Sequence, residues 1–326
     1  MIRRTFLHSS FLGGAWVLTG CKGKATPAAT GAAPSAGSGD AGPATAALAS
    51  TLAAAIAELE GSSRLGVAVL DTGTGAVVGH RLDERFPMCS TFKVVLAAMV
   101  LERAATGGPG LDTPLTFTKA DLVHHAPVTE PLLTAATARG LPHATATVGE
   151  LARATQTTSD NPAANVLLRH LGGPEALTAF CRRHGDQVTR VDRLEPAMNE
   201  WAEGDPRDTT SPRAKATLMA HLLYGGGLPA PARATLREWM IATETGAKRL
   251  RAGWPAGWVA GDKTGTMVGD GQTTKINDVA WLEPPDERAP LVVAAYLDTR
   301  AVAENTRPEE QEVLAKVGRL VAGAIS

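Results

Sequence analysis

The sequence predicts an α/β (α+β) fold, an antiparallel five-stranded sheet flanked by helices, with an all-helical domain inserted into it. Three observations predict it. Strand patterns occur only near the two ends of the chain, helical patterns fill the middle, and the last segment is a helix with one apolar face. With 326 residues, 44% of them hydrophobic, there is ample apolar material for a large core or two fused domains.

Taken in order, Leu48, Leu52, Ile56 and Leu59 recur at helical spacing between Thr45 and Gly61. Arg64–Asp71 and Ala76–His80 read as strands joined by the turn residues Thr72-Gly73-Thr74-Gly75. The middle carries helical patterns at Phe92–Ala105, Val148–Thr157, Pro162–Leu171, Pro174–His184, Pro212–Tyr224 and Pro231–Thr243. Several open on proline, whose missing N–H is harmless in a first helical turn. Trp258–Thr266, Asn277–Glu283 and Leu291–Leu297 complete the strands, and Pro308 opens a helix with Val313, Val317, Leu320 and Val321 on one face. The expected division is 47–85 plus 246–326 as the α/β domain and 86–245 as the helical one, with the ligand cleft between them.

The start of the chain has a different composition. Arg3 and Arg4 precede an apolar run from Phe11 to Leu18, so residues 1–21 read as an export signal, too short and glycine-broken to span a bilayer. The arginine pair suits either twin-arginine or ordinary secretory export. Leu18-Thr19-Gly20-Cys21 resembles a lipobox, which would make Cys21 a lipidated N-terminus and a membrane tether; plain cleavage beside an incidental cysteine is the alternative. Residues 22–46, nearly all Ala, Gly, Pro, Ser and Thr, read as a flexible linker. The expected location is outside the cytoplasm, in the periplasm.

Net charge is −1 and aromatics are 4%, so neither a basic field nor a stacking platform points to nucleic acid. Cys89 and Cys181 could form a disulfide in an oxidising compartment, but two small buried thiols fit as well.

Three short motifs carry chemistry. Ser90-Thr91-Phe92-Lys93 opens a helix, and the i, i+3 spacing lets Lys93 Nζ reach Ser90 Oγ and assist loss of its proton. The helix N-terminus also favours developing negative charge. Ser159-Asp160-Asn161 precedes Pro162, where Asn161 could be a helix cap and Asp160 a purely structural acid. Lys263-Thr264-Gly265-Thr266 lies on a strand; Gly265 lets a substrate approach the strand edge, and Lys263 with the two hydroxyls suits a carboxylate. An edge strand protected by a lysine is the plainer alternative.

Each triplet is common, but all three in this order resemble the penicilloyl-serine transferases, the β-lactamases and penicillin-binding proteins. The resemblance runs from about Thr45 to the C-terminus and implies the β-lactamase/transpeptidase-like fold. Arg193-Leu194-Glu195-Pro196-Ala197-Met198-Asn199 further resembles the omega loop of class A β-lactamases, here about 193–208, closed by an Arg193–Asp208 pair. That resemblance implies hydrolysis of penicillins and cephalosporins. Ser90 would be acylated, with Lys93 or Glu195 taking its proton. Ser159, beside Lys263, would protonate the leaving nitrogen. Glu195 would activate the deacylating water with Asn199 as its second holder. Backbone N–H groups of Ser90 and Thr266 would bind the oxyanion. Asn161, Thr264, Gly265 and Thr266 would contact substrate. His125 would form a wall at the mouth, and Arg249 would either grip the substrate carboxylate or stand as a surface charge. Trp258 would pack beneath the site. No metal or organic cofactor is required, and the expected partner is a small β-lactam met by a monomer.

The chain departs from the family in two places, with extra residues around 131–147 and in Met267–Lys275, both bordering the cleft. The cysteine after the Lys-Thr-Gly motif that would pair with Cys89 in serine carbapenemases is absent, Met267 standing near its place. Two rivals remain at this level: a D-Ala-D-Ala carboxypeptidase or transpeptidase, which would not need Glu195 and Asn199, and a non-catalytic surface lipoprotein, which would need none of the set.

Overall fold

The computed structural model describes residues 43–269 and 271–325. The expected signal 1–21, Cys21 and most of the linker lie outside the described residues. The linker was expected to reach residue 46, but the first helix, α1 (Pro43–Glu58), already begins at Pro43, whose fixed φ suits a helix start.

After α1 the chain forms the hairpin β1 (Arg64–Asp71) and β2 (Val77–His80). A two-residue strand, β3 (Phe86–Pro87), leads through a 3-10 turn at Cys89–Phe92 into α2 (Lys93–Ala105). Then come β4 (Pro114–Phe117), α3 (Thr129–Ala138), β5 (Ala144–Thr147), α4 (Val148–Thr157), α5 (Asn161–Leu171) and α6 (Gly173–Arg183). A long loop reaches β6 (Thr209–Thr210), α7 (Pro212–Leu223) and α8 (Ala230–Ile241). The strands β7 (Val259–Met267), β8 (Thr273–Glu283) and β9 (Leu291–Val302) and the helix α9 (Pro308–Ile325) end the chain.

The five-stranded sheet has the order β2-β1-β9-β8-β7, every neighbour antiparallel. Alternate side chains go to opposite faces. Leu65, Val67 and Val69 of β1 and Val293, Ala295 and Leu297 of β9 pack with Leu52 and Ile56 of α1 and Leu314, Val317 and Val321 of α9. The residues between them, Ala68, Val292, Ala294 and Tyr296, join Val279 and Trp281 against the helices α2, α7 and α8. With both faces covered, β8 is buried almost throughout, which is why these strands read as continuous apolar runs rather than clean alternations.

Beyond the linker boundary, the structure differs from the sequence reading in five ways. The inserted 86–245 region is not all-helical, because β3 pairs with β6 and β4 with β5 within it. The segment around 131–147 is not mere extra length: it forms α3 and then β5, which pairs with β4 from Pro114↔Thr147 to Phe117↔Ala144. Strand β8 begins at Thr273, because pairing with β7 (Met267↔Lys275) holds polar residues in strand form, so the two ends of the Met267–Lys275 segment, expected as added length, belong to the β7–β8 pair. Strand β9 likewise runs on to Val302, past the apolar stretch that defined it in sequence, through Thr273↔Val302. Trp258 packs with the α1/α9 core on the far face of the sheet, not beneath the site, because it precedes β7 and falls on the outer side. Among the described residues no helix is long and apolar enough to cross a membrane.

Candidate active site

Ser90 sits in the 3-10 turn that opens α2, directly after Cys89, whose φ of 45° is left-handed. The turn is anchored from behind. Met88 O accepts Thr91 N at 3.2 Å, Thr91 Oγ1 at 2.8 Å and Asn277 Nδ2 at 3.2 Å. Gly265 on β7 makes this close packing feasible, since a Cβ there would lie 2.7 Å from Met88 O. Cys89 and Cys181 are both buried free thiols, and burial pushes the Cys89 thiol up to about 12.

Lys93 and Lys263 are wholly buried. Lys93 Nζ donates to Ser159 O at 2.8 Å, to Asn161 Oδ1, and to Ser159 Oγ at 3.4 Å. It also lies 3.4 Å from Glu195 Oε1. The expected direct bond from Lys93 to Ser90 is not formed. The amine bonds instead to Ser159 and Asn161, and Ser90 Oγ reaches Glu195 Oε1 at 3.4 Å. Lys263 Nζ donates to Ser159 Oγ at 3.0 Å and to Thr264 O at 2.8 Å. One serine oxygen thus stands between two lysines. Burial lowers the pKa of Lys93, opposed by the Glu195 carboxylate; burial, and then the charge of Lys93, takes Lys263 well below the usual lysine range.

Ser159 has a left-handed φ of 64° that turns it into the cavity. Asp160 is the cap of α5, accepting Ala163 N at 2.9 Å, and it also accepts Val128 N and Thr129 N, each at 2.9 Å. Asn161 is therefore not the cap but the first residue of the helix, free to accept from Lys93 and to donate to His124 O at 3.0 Å.

The 193–208 loop is clasped at its ends. Arg193 Nε donates to Asp208 Oδ2 at 2.7 Å, and Asp192 N and Arg193 N donate to Asp208 Oδ1 at 2.7 and 3.1 Å. Within it, Asn199 Nδ2 donates to Glu195 Oε2 at 2.7 Å. A second clasp was missed in sequence: Asn165 Nδ2 donates to Glu195 O at 2.8 Å, and Glu195 N donates to Asn165 Oδ1 at 2.9 Å. The available signal was its position four residues after Asn161 on one helix face.

Arg249 is buried, which excludes the surface-charge alternative. Its Nη1 donates to Gly265 O at 2.9 Å and Asn277 O at 2.7 Å, and its Nη2 to Thr266 Oγ1 at 2.6 Å. Thr264 Oγ1 bonds to Thr245 Oγ1 at 2.6 Å, a neighbour the sequence reading also missed. Two buried carboxyls, Asp262 and Asp278, lie behind Lys263; burial raises both, Asp278 to about 6. His125 is held by a 2.9 Å contact from Nε2 to Thr158 O.

Ser90, Ser159, Glu195, Asn199, Arg249 and Thr266 line one cavity of about 450 Å³, with His125 at its edge. A larger cavity of about 540 Å³, between Trp201 and Arg300, contains none of them; volume alone does not mark the chemistry here. Among the described residues no three His, Cys, Asp or Glu side chains gather as a metal cluster. The arrangement brings a serine hydroxyl, two amines whose pKa burial lowers and a carboxylate to the same small volume, a set whose chemistry suits acyl transfer.

A family model described as the β-lactamase enzyme family matches residues 47–325. The chain belongs to the β-lactamase enzyme family. Among its relatives, β-lactamase L2 of Stenotrophomonas maltophilia is 47% identical over 257 residues, covering 79% of this chain and 80% of that protein. A carbapenem-hydrolysing β-lactamase, KPC, of Klebsiella oxytoca is 44% identical over 258 residues, covering 78% and 82%. Among solved structures, an ancestral class A β-lactamase of Gram-negative bacteria is 50% identical with a TM-score of 0.76, covering 84% of this chain and 99% of that one. A β-lactamase from Xanthomonas campestris is 42% identical with a TM-score of 0.77, covering 86% and 99%. The fold of this β-lactamase is that of class A.

Proposed function

We propose that this class A enzyme hydrolyses the amide bond of penicillins and cephalosporins in two halves that use the same serine. Ser90 attacks the lactam carbonyl as its proton passes to Lys93, or to Glu195 through a water, and backbone N–H groups of Ser90 and Thr266 hold the oxyanion. One such donor is worth roughly 3 kcal/mol of barrier. Ser159, between Lys93 and Lys263, delivers the proton to the departing nitrogen. Glu195, steadied by Asn199, then activates the water that frees Ser90. Arg249, Thr264, Gly265 and Thr266 receive the substrate carboxylate side, Asn161 its amide and His125 its flank. Arg193, Asp208 and Asp160 hold the loops in place.

The observation that carries this reading is Glu195 Oε1 at 3.4 Å from both Ser90 Oγ and Lys93 Nζ. A carboxylate beside the nucleophile is what a hydrolase needs and an acyl-transferring peptidase does not. The test is Glu195→Gln with a penicillin: rapid acylation followed by a trapped acyl-enzyme is expected, and unchanged turnover would sink the assignment. Ser90→Ala with a chromogenic cephalosporin separates the reading from a non-catalytic protein of the same fold, since the parent must hydrolyse and the variant must not.

The remaining features belong to the same proposal. The chain is exported to the periplasm through residues 1–21, tethered by lipid at Cys21 through the 22–46 segment, and active as a monomer. The cleft lies between a domain of 47–85 plus 246–326 and an inserted helical domain of 86–245. Mass spectrometry of the membrane fraction tests the tether: an unmodified Cys21 there removes it.

A further inference from the structure

The helix α3 overlaps the 131–147 stretch that the sequence suggested as added length, and it is fixed to the active site rather than hung beside it. The Asp160 carboxylate that caps α5 also receives Val128 N, Thr129 N and Thr129 Oγ1, each at 2.9 Å, so the first turn of α3 moves only with the loop that carries Ser159. Along its outer side, His125, Pro127, Pro131, Thr134, Ala135 and Ala138 bound an open groove of about 810 Å³. His125 lines both this groove and the catalytic cavity, so the two spaces share a wall.

The charges at the two ends are opposite. Arg249 lines the catalytic cavity, with Lys93 and Lys263 buried behind it. The groove is walled by prolines, alanines and a threonine, and its one charged side chain is Glu130, exposed and without an ion-pair partner among the described residues. A molecule lying across both spaces meets the Arg249 guanidinium at one end, an imidazole in the middle and a carboxylate over small apolar side chains at the other.

We infer that the α3 groove extends the substrate site and takes a long, positively charged arm of a zwitterionic β-lactam whose carboxylate faces Arg249. This rests on the hydrolase reading above. The test uses two cephalosporins that differ only at C3, one with a methyl group and one with a long quaternary-ammonium arm. Glu130→Gln is expected to raise KM for the armed compound about threefold at low salt, and less at high salt, because an exposed ion pair is weak and screened. Ala135→Trp, at an exposed helix position, fills the groove and is expected to raise KM for the armed compound by about the same factor or more, with kcat held. Both variants should treat the methyl compound as the parent does. Equal changes for both compounds, or no change for either, would overturn the groove assignment while leaving hydrolysis intact. If the parent hydrolyses neither compound, the hydrolase reading fails first and the groove assignment with it.

Discussion

Asn165→Ala probes the reading of Glu195 most directly, because it removes support without touching the carboxylate. In the native protein, Asn165 closes two hydrogen bonds on the Glu195 peptide, at 2.8 and 2.9 Å, and the two residues are 3% and 4% exposed. Alanine strands a buried N–H and a buried C=O. At roughly 1–3 kcal/mol each, the loss is about 2–6 kcal/mol. For a chain of this size, with about 2 °C per kcal/mol, the melting temperature should fall by roughly 4–12 °C. Glu195 Oε1 has only 3.4 Å contacts to Ser90 and Lys93, so a displacement of about 1 Å would cost on the order of a hundredfold in deacylation. Far-UV circular dichroism gives the melting temperature. Rapid mixing with a chromogenic cephalosporin gives the burst, which should survive, and the steady-state rate, which should collapse. A lowered melting temperature with parental deacylation would refute the reasoning, because it would make Asn165 a support of the fold only.

Three further outcomes follow from the geometry. Gly265→Ala places a methyl 2.7 Å from Met88 O and 3.1 Å from Thr91 Cγ2, so β7 must retreat from the nucleophile turn; steady-state kinetics should show kcat/KM falling by about tenfold, with overpacking costing about 1–3 kcal/mol of stability. Arg249→Lys loses the fork that spans Gly265 O, Asn277 O and Thr266 Oγ1, so KM should rise by about tenfold; an unchanged KM would remove Arg249 from substrate binding. Asp278 has its folded pKa raised, by burial, to about 6 against an ordinary carboxyl near 4, so its stability contribution is full at low pH and lost as pH rises through about 6. The stability of Asp278→Asn relative to the parent should therefore improve between about pH 4 and pH 7.5, by at most about 3 kcal/mol, in denaturant titrations; a constant difference would mean that Asp278 does not titrate in that window.

Much of the fold was legible because it is local. Val148–Thr157 has the same bounds in the sequence pattern and in α4, since Thr147 and Glu150 form a capping box around its start. The ends of β8 and β9 were not legible, because Thr273 and Lys275 are held in strand form by partners on β7 and β9 rather than by their own pattern. The helix α3 was equally hidden. Its alanines and threonines look like filler, and only Thr129, Leu133 and Ala136 give it a buried side.

At the site the division follows sequence distance. Motifs whose members lie within a few residues of one another announce themselves, as Ser90 with Lys93 and Ser159 with Asn161 do, although Lys93 bonds to the second motif rather than to Ser90. The groups that position those motifs act across the fold: Asn277 holds the Met88 carbonyl from 189 residues away, and Lys263 reaches Ser159 from 104 residues away. No periodicity records such a contact. The chemistry supplies a constraint that sequence distance cannot. Two wholly buried lysines are costly unless oxygen acceptors surround their amines, and here the acceptors are Ser159, Asn161, the Thr264 carbonyl and Glu195. Of these acceptors, Ser159 and Glu195 are also the groups proposed to move protons and Asn161 is proposed to hold substrate, so substitutions at these three should change stability and rate together, whereas those at the exposed α3 positions Glu130 and Ala135 should change only which substrate is held.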